Sequence, residues 1–342
     1  MNLKELSAHL GLSQTTVSRA LNGYPEVNEA TRRRVRDAAT AHGYHPNIRA
    51  KSLATGQSST IGHVIPISTK HELQNPILTD FLACASEVYE RSGFDLLLLF
   101  IADQDEESAH RELVTRGKVD GIIIHGPKLA DSRIPLLQTL DLPFVVHGRS
   151  SQLATEYNWV DVNNRDAFYR GTGLLLDLGH RRIAILNGLE VMDFAMRRRD
   201  GYLSALKDRG LDADPAIMAH DEMTESFGYE CAKSMLEAGN PPTAFMVSSI
   251  IMAIGVRLAI QETGRQLGKE ISVVVFDDDL SYFRNVGNIP FFTTVRSSVR
   301  TAGEIAAQML LEQIQNHPAK PKHTLLEAEL TVGQSTGPSR ET

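Results

Sequence analysis

From Ser13 to Asn22 the chain reads Ser-Gln-Thr-Thr-Val-Ser-Arg-Ala-Leu-Asn. These side chains match the chemistry of base-pair edges. Gln14 suits a bidentate pair with adenine, Thr15 and Thr16 suit a hydrogen bond or a thymine methyl, and Arg19 suits guanine. Ser13, Ser18 and Asn22 complete the polar set, which a helix in the major groove would present from its N-terminal end. Val17, Ala20 and Leu21 would then face inward. The bland alternative is a surface helix rich in Ser and Thr. Local charge separates the two. Residues 1–57 hold Lys4, Arg19, Arg32, Arg33, Arg34, Arg36, Arg49 and Lys51 against Glu5, Glu26, Glu29 and Asp37. The head is therefore +4 and the remainder −11, within an overall charge of −7. A basic head on an acidic body holds a phosphate backbone at one end only.

Three short helices must position that set. Leu3, Leu6 and Leu10 recur at helical spacing until Gly11-Leu12 breaks the pattern. Ser13 then caps a helix over 14–21, which Asn22-Gly23 ends. A third helix runs from an Asn28 cap to His42, with Gly43 as its stop. Two short helices joined by a tight Gly turn predict a helix-turn-helix. The linker 44–59 follows, and within it Asn47–Thr55 allows one or two helical turns, too few to be stable alone.

From Thr60 short apolar runs appear: 61–67, 94–100, 121–125, 144–147, 182–186, 244–247 and 271–276. Helical stretches separate most of them, at 78–92, 106–117, 165–178, 197–209, 226–238 and 250–263. Strands buried on both faces and alternating with helices predict parallel sheets. The expected architecture is an all-α head and an α/β body of two doubly wound subdomains. Their boundary falls near Trp159, and segments 293–297 and 325–332 cross between them. The tail from Gln334 is expected to fray.

With 342 residues, 42% apolar and 23% charged, the chain has an ordinary globular composition. No run approaches the roughly 18 apolar residues of a membrane span. The N-terminus is amphipathic and lacks the features of a signal peptide, so the chain is expected in the cytoplasm. Cys84 and Cys231 read as buried reduced thiols. The motifs GxxxxGK[ST], GxSxG, HExxH and strand-borne GxGxxG are absent, so no catalytic residue and no cofactor is expected. Asp277-Asp278-Asp279 hints at a metal, but no second cluster has ligand spacing, and no metal is expected.

The run from Leu12 to Gly62 resembles the head and hinge of the LacI/GalR family of bacterial repressors. It carries the TVSRALNG core, a V-x-x-x-T-R-x-x-V third helix, a GY-x-PN turn and an A-x-x-LA hinge. The likeness continues through DGIIIHG, LPFVVHGR, LLDLGHRRIAILNG, RRRDGY, PTAFMV, ISVVVFDD and FFTTV, spanning residues 3–333. By this resemblance Gln14 and Thr15 take the two specificity positions and Arg19 the base-contacting arginine. Asn47 begins the hinge helix, and Ala50 permits close hinge contacts. Leu53 is the wedge between base steps, or packs on its dimer mate; both can hold. A wedge unstacks and bends the duplex. The resemblance divides the chain into a helix-turn-helix (1–46), a hinge helix (47–57), an N-terminal subdomain (60–159 and 293–323) and a C-terminal subdomain (160–292 and 324–342). It implies a homodimer on pseudo-palindromic double-stranded operator DNA, with no membrane partner and a place on the nucleoid.

It also implies a small-molecule effector between the subdomains. Arg198 matches the ligand-contacting arginine and Asp277 the ligand carboxylate. His125, His147 and Gly148 lie at strand ends of the first lobe, and Ser249 and Ser297 sit at polar contact positions. Arg198 has the alternative of holding a surface carboxylate, Asp277 of capping the next turn, and the two histidines of ordinary packing. Three departures redefine the pocket. Ser249-Ile250 replaces the usual Asn-Asp, Met223 replaces an aromatic, and Gly148 replaces an Asp. The pattern is similar to members controlling α-glucoside use, with sucrose, maltose or trehalose as the favoured class and a corepressor as the main variant. A sugar-binding transport component remains as a second class.

Overall fold

The structure, a computed structural model, describes residues 1–21, 23–44, 57–66, 75–102, 105–283, 285, 288–316 and 320–340. Two compact units divide the chain, Met1–Ser59 and Thr60–Thr342.

In the first unit the three helices are α1 (Leu3–Leu10), α2 (Gln14–Leu21) and α3 (Glu29–Ala41). Each start has a side-chain cap. Asn2 and Glu5 form a reciprocal capping box on α1, the Thr16 amide donates to Ser13 Oγ at 3.0 Å, and the Thr31 amide donates to Asn28 at 2.8 Å. Leu6, Leu10, Val17, Ala20, Val27, Val35 and Ala39 make one buried core. The third helix ends one residue before the expected stop, because the His42 amide already bonds back to the helix as its C-cap. The hinge segment lies outside the described residues.

The second unit holds twelve strands among the described residues. In chain order, its first part runs β1 (Thr60–Pro66), α4 (Pro76–Arg91), β2 (Asp95–Ile101), α5 (Glu106–Thr115), β3 (Gly121–His125), α6 (Arg133–Thr139), β4 (Phe144–His147) and β5 (Asn158–Val162). Then follow α7 (Asn164–Asp177), β6 (Ile183–Asn187), α8 (Asp193–Asp208), β7 (Met218–His220), α9 (Glu225–Glu237), β8 (Ala244–Val247), α10 (Ile250–Glu262), β9 (Ser272–Asp277) and β10 (Thr293–Arg296). The last are α11 (Val299–Gln315), β11 (His323–Leu326) and β12 (Glu329–Thr331). One sheet has the order β11-β5-β4-β3-β1-β2, the other β12-β10-β9-β8-β6-β7. Among the described strands every pairing is parallel except β10 with β12. This is the doubly wound pair that the alternating pattern predicts.

Connections at 162–164, 296–299 and 326–329 join the two sheets among the described residues. The subdomain ranges need adjusting at their ends. Strand β5 continues to Val162 and β11 to Leu326, both within the first sheet. Strand β10 pairs with β9 and belongs to the second sheet. Ladder pairing persists to each strand end, so the chain crosses only in the short links that follow. Strands β5 and β7 and helix α6 carry no long apolar run, and the sequence pattern passes over them. Cys84 and Cys231 are free, but part-buried rather than buried.

Candidate functional site

On α2, Val17 and Ala20 are fully buried. Helical spacing then turns Gln14, Thr15 and Arg19 outward, and all three are exposed. Ser13 and Thr16 are partly committed to the helix: their hydroxyls lie 2.8 Å apart while Ser13 Oγ caps the Thr16 amide. Ser18 and Thr16 are half-buried. Arg34 donates to Leu10 O at 2.7 Å and Arg32 to Val27 O at 2.9 Å, so these two cations brace the head. Arg33 and Arg36 are exposed. Asn22, Asn47, Ala50 and Leu53 lie outside the described residues.

Arg198, on α8, is 5% exposed and holds no surface carboxylate. Its Nε donates to Asn164 Oδ1 at 2.8 Å and its Nη1 to Ser248 O at 2.8 Å. Its guanidinium carbon sits 3.9 Å from the Phe276 ring centre, 4.9 Å from that of Phe194 and 5.3 Å from that of Phe168. Burial lowers its pKa to about 10, opposed by Asp278 and Asp161. Asn164 in turn donates to Asp161, which pairs with Arg149 at 2.6 Å. A polar chain thus links the loop after β4 to Arg198.

The carboxylate whose charge acts most on this arginine is Asp278, ahead of Asp161 and one residue beyond the one that sequence reasoning singled out. Burial raises Asp278 to about 7, Arg198 opposing the shift and Asp277 adding to it. Its Oδ2 is buried with no hydrogen-bond partner among the described residues. Asp277 does cap the following turn, accepting from the Asp279 amide at 2.9 Å. Ser297 is buried beside it, its amide donating to Asp277 O at 3.0 Å. Ser249 is buried and caps α10 through the Ile251 amide at 3.1 Å. Met223 is half-buried, and a Cβ at Gly188 would meet the Phe194 ring at 2.9 Å and the Met223 sulfur at 3.5 Å.

In the first lobe, His125 and His147 are register partners at the ends of β3 and β4. The Phe81 ring contacts both, centred 4.8 Å from His125 and 4.5 Å from His147. Sequence reasoning missed a third histidine. His63 lies inside β1, fully buried, with Nδ1 2.9 Å from His125 Nε2 and Nε2 3.1 Å from the Tyr89 hydroxyl. The available signal was a lone histidine in an otherwise apolar strand. Burial depresses His63 to about 3 and His147 to about 4, and pushes His125 well below the ordinary value, so all three stay neutral. Arg133 grips Asp131 and Glu106 and donates to His125 O at 3.0 Å, fixing the end of β3. At Gly148 φ is 110°, and a Cβ there would meet Pro127 Cδ at 2.8 Å, so this backbone accommodates no aspartate.

The lobes meet around these groups. The Asp193 amide donates to Pro127 O at 3.0 Å. Asp193 accepts from the Ser151 amide at 2.7 Å and from the Ser151 hydroxyl, and pairs with Arg197. Asp80 on α4 accepts from the Ser281 amide at 2.5 Å and the Ser281 hydroxyl at 2.6 Å. The ends of β3 and β4 therefore approach the start of α8, one turn before Arg198. Among the described residues no group of three His, Cys, Asp or Glu is placed to hold a metal ion. No described helix is long and apolar enough to cross a membrane.

Residues 2–47 match the model of bacterial regulatory proteins of the lacI family, and residues 172–336 that of a periplasmic binding protein-like domain. The chain is 43% identical over 339 residues to the HTH-type transcriptional regulator AglR of Rhizobium meliloti (strain 1021), covering 99% of this chain and 95% of that one. It is 35% identical over 280 residues to the HTH-type transcriptional regulator RafR of Escherichia coli, covering 81% and 82%. Among solved structures, the lac repressor dimer bound to operator and the anti-inducer ONPF superposes with a TM-score of 0.84 at 26% identity, covering 98% and 99%. A basic head with an outward polar helix and a two-sheet body thus have one common explanation: the chain belongs to the lacI family of bacterial regulatory proteins, and is a DNA-binding transcriptional regulator rather than an enzyme.

Proposed function

We propose that this regulator is a repressor that binds a pseudo-palindromic operator as a dimer and leaves it when a neutral sugar, an α-glucoside disaccharide such as sucrose, occupies the cleft between the lobes. The observation that carries the reading is the outward trio Gln14, Thr15 and Arg19 on a basic head, joined in one chain to a two-lobed body that buries Arg198, Asp277, Ser249 and Ser297. In this reading residues 1–46 carry the base-reading helix and residues 47–57 the hinge, with Asn47 opening it, Ala50 allowing close hinge–hinge or hinge–groove contact, and Leu53 as a minor-groove wedge or packed on its dimer mate. Arg198, Asp277, His125, His147, Gly148, Met223, Ser249 and Ser297 border the effector. Arg198 and the first-lobe histidines are the groups best suited to sugar hydroxyls.

The dimer is supported by apolar surface that one copy leaves uncovered. Strand β2 ends its sheet with Leu96 exposed, and α10 exposes Ile254 and Leu258. The lac repressor likeness, a dimer on operator, points the same way. The protein acts in the cytoplasm, on the nucleoid. A ligand moves the equilibrium only by its differential affinity for the two states.

A thermal-shift screen of mono- and disaccharides tests the effector class. A ligand at about 100 times its Kd adds roughly 2.7 kcal/mol of stability. Sucrose, maltose or trehalose should raise the Tm. Stabilisation by none of them, with a response to another compound class, contradicts the α-glucoside reading.

A further inference from the structure

We propose that Tyr89 and His63 are positioning residues that set the tautomer of His125, so that the first lobe offers its ligand a fixed hydrogen-bond donor. The inference rests on the cleft being the effector site, and it names the ligand chemistry that the first lobe takes: a neutral molecule presenting an acceptor oxygen, such as a ring or glycosidic oxygen of a sugar.

The three groups form an unbranched chain. Tyr89 is 1% exposed, and its hydroxyl lies 3.1 Å from His63 Nε2. His63 Nδ1 lies 2.9 Å from His125 Nε2. A neutral imidazole carries one N–H, so the chain has two possible polarities. In one, His125 donates to His63 and His63 donates to Tyr89. The buried phenol proton then has no acceptor among the described residues, an arrangement that folded proteins avoid. In the other, the Tyr89 hydroxyl donates to His63 Nε2 and His63 Nδ1–H donates to His125 Nε2, so both fully buried donors find an acceptor. The second polarity leaves His125 with its proton on Nδ1, the nitrogen turned away from His63.

The surroundings hold this state. Burial keeps all three histidines neutral, His125 further depressed by its histidine neighbours and Arg133. Phe81 packs on His63, His125 and His147 and limits ring rotation. Arg133 pins the His125 carbonyl. His125 itself is half-buried, so its second nitrogen is not sealed in the core. Neutral rings offer no charge to offset the desolvation of a phosphate or carboxylate at this place, and a donor rewards an oxygen lone pair.

The test is a long-range 1H–15N spectrum of the full chain labelled with 15N-histidine, with His125 assigned through H125N. Protonation of His125 at Nδ1 at neutral pH is the expected result. In Y89F the hydroxyl that donates to His63 Nε2 is gone, the two polarities come closer in energy, and the Nε2-protonated form of His125 becomes detectable. A wild-type His125 protonated at Nε2 or at both nitrogens overturns the relay, as does an unchanged tautomer in Y89F. The wild-type spectrum decides even if Y89F does not fold. For ligand choice, calorimetric titrations use sucrose, maltose, trehalose and trehalose 6-phosphate. The neutral sugar that binds wild type should lose about tenfold in affinity in Y89F. Unchanged affinity alongside a detectable Nε2-protonated form, or preference for the phosphorylated sugar, overturns the specificity role. If no sugar binds, the effector reading fails, while the tautomer in the free protein still decides the relay.

Discussion

Arg198 is the residue with most to lose by substitution. It is buried among three phenyl rings, with its fork committed to Asn164 and the Ser248 carbonyl. R198A strands those acceptors and the carboxyl of Asp278. Chemical denaturation should show a loss of roughly 3 kcal/mol or more, and the sugar-induced Tm shift should vanish. Arg19 is exposed and spends nothing on the fold. R19A should leave denaturation unchanged, weaken operator binding by about 1–3 kcal/mol and relax discrimination at one base pair. Proton linkage gives a third expectation. Asp278 has its folded pKa raised to about 7 from 3.8, so its contribution is full below the unfolded value and fades as pH rises through the folded one. His63 has the opposite sense. Its folded pKa is lowered to about 3, so its contribution is present above the ordinary histidine value and is lost as pH falls from there. D278N removes only the first, so it should lose more stability than wild type between about pH 7 and pH 5 in urea titrations. Arg198 and the outward trio were legible in the sequence, the first by motif and the second by spacing. His63 and Asp278 were not. Their importance arises from contacts between distant strands and from burial, which no local spacing encodes.

Helices and strands followed local rules closely where those rules are strong. Ser13, Asn28 and the leucine spacing define the head because capping and periodicity act within one or two turns. The bare apolar runs mark β3, β4 and β8 to the residue. Strands β5 and β7 escaped because they are short and mixed in polarity, and their identity depends on sheet neighbours. Close helix pairing was likewise hidden. Gly255 on α10 faces α9 so tightly that a Cβ would meet Glu225 O at 2.0 Å. G255A must push the two helices apart, and overpacking of this kind costs about 1–3 kcal/mol. Urea denaturation of G255A should show that loss, whereas alanine at Gly173, a half-buried helical position with open space around its Cβ position, should stabilise or leave the protein unchanged.

Over the entire chain, the charge division and the alternation of strand and helix already implied a basic head and a two-sheet body. The three crossings between sheets were foreseen only approximately, because a chain changes sheets where pairing ends, not where hydrophobicity does. The contacts that tie the lobes together were invisible in advance. Asp193 with Ser151 and Asp80 with Ser281 join segments 42 and 201 residues apart. Each is a few hydrogen bonds, worth about 1 kcal/mol apiece in net terms. That suits a cleft that must open for a ligand. In the combined variant S151A/S281A, small-angle scattering of the ligand-free protein should report a larger radius of gyration, and sugar affinity should fall by about tenfold. The central claim is that occupancy of this cleft decides whether the head stays on DNA. Its most direct test is a fluorescence-anisotropy titration of the full chain against a palindromic DNA selected from a random library, with and without sucrose, maltose or trehalose. A saturating sugar from this set should weaken DNA binding at least about tenfold, the lower range of typical allosteric coupling. DNA affinity unchanged by every one of these sugars, or strengthened by the one that binds, would contradict it.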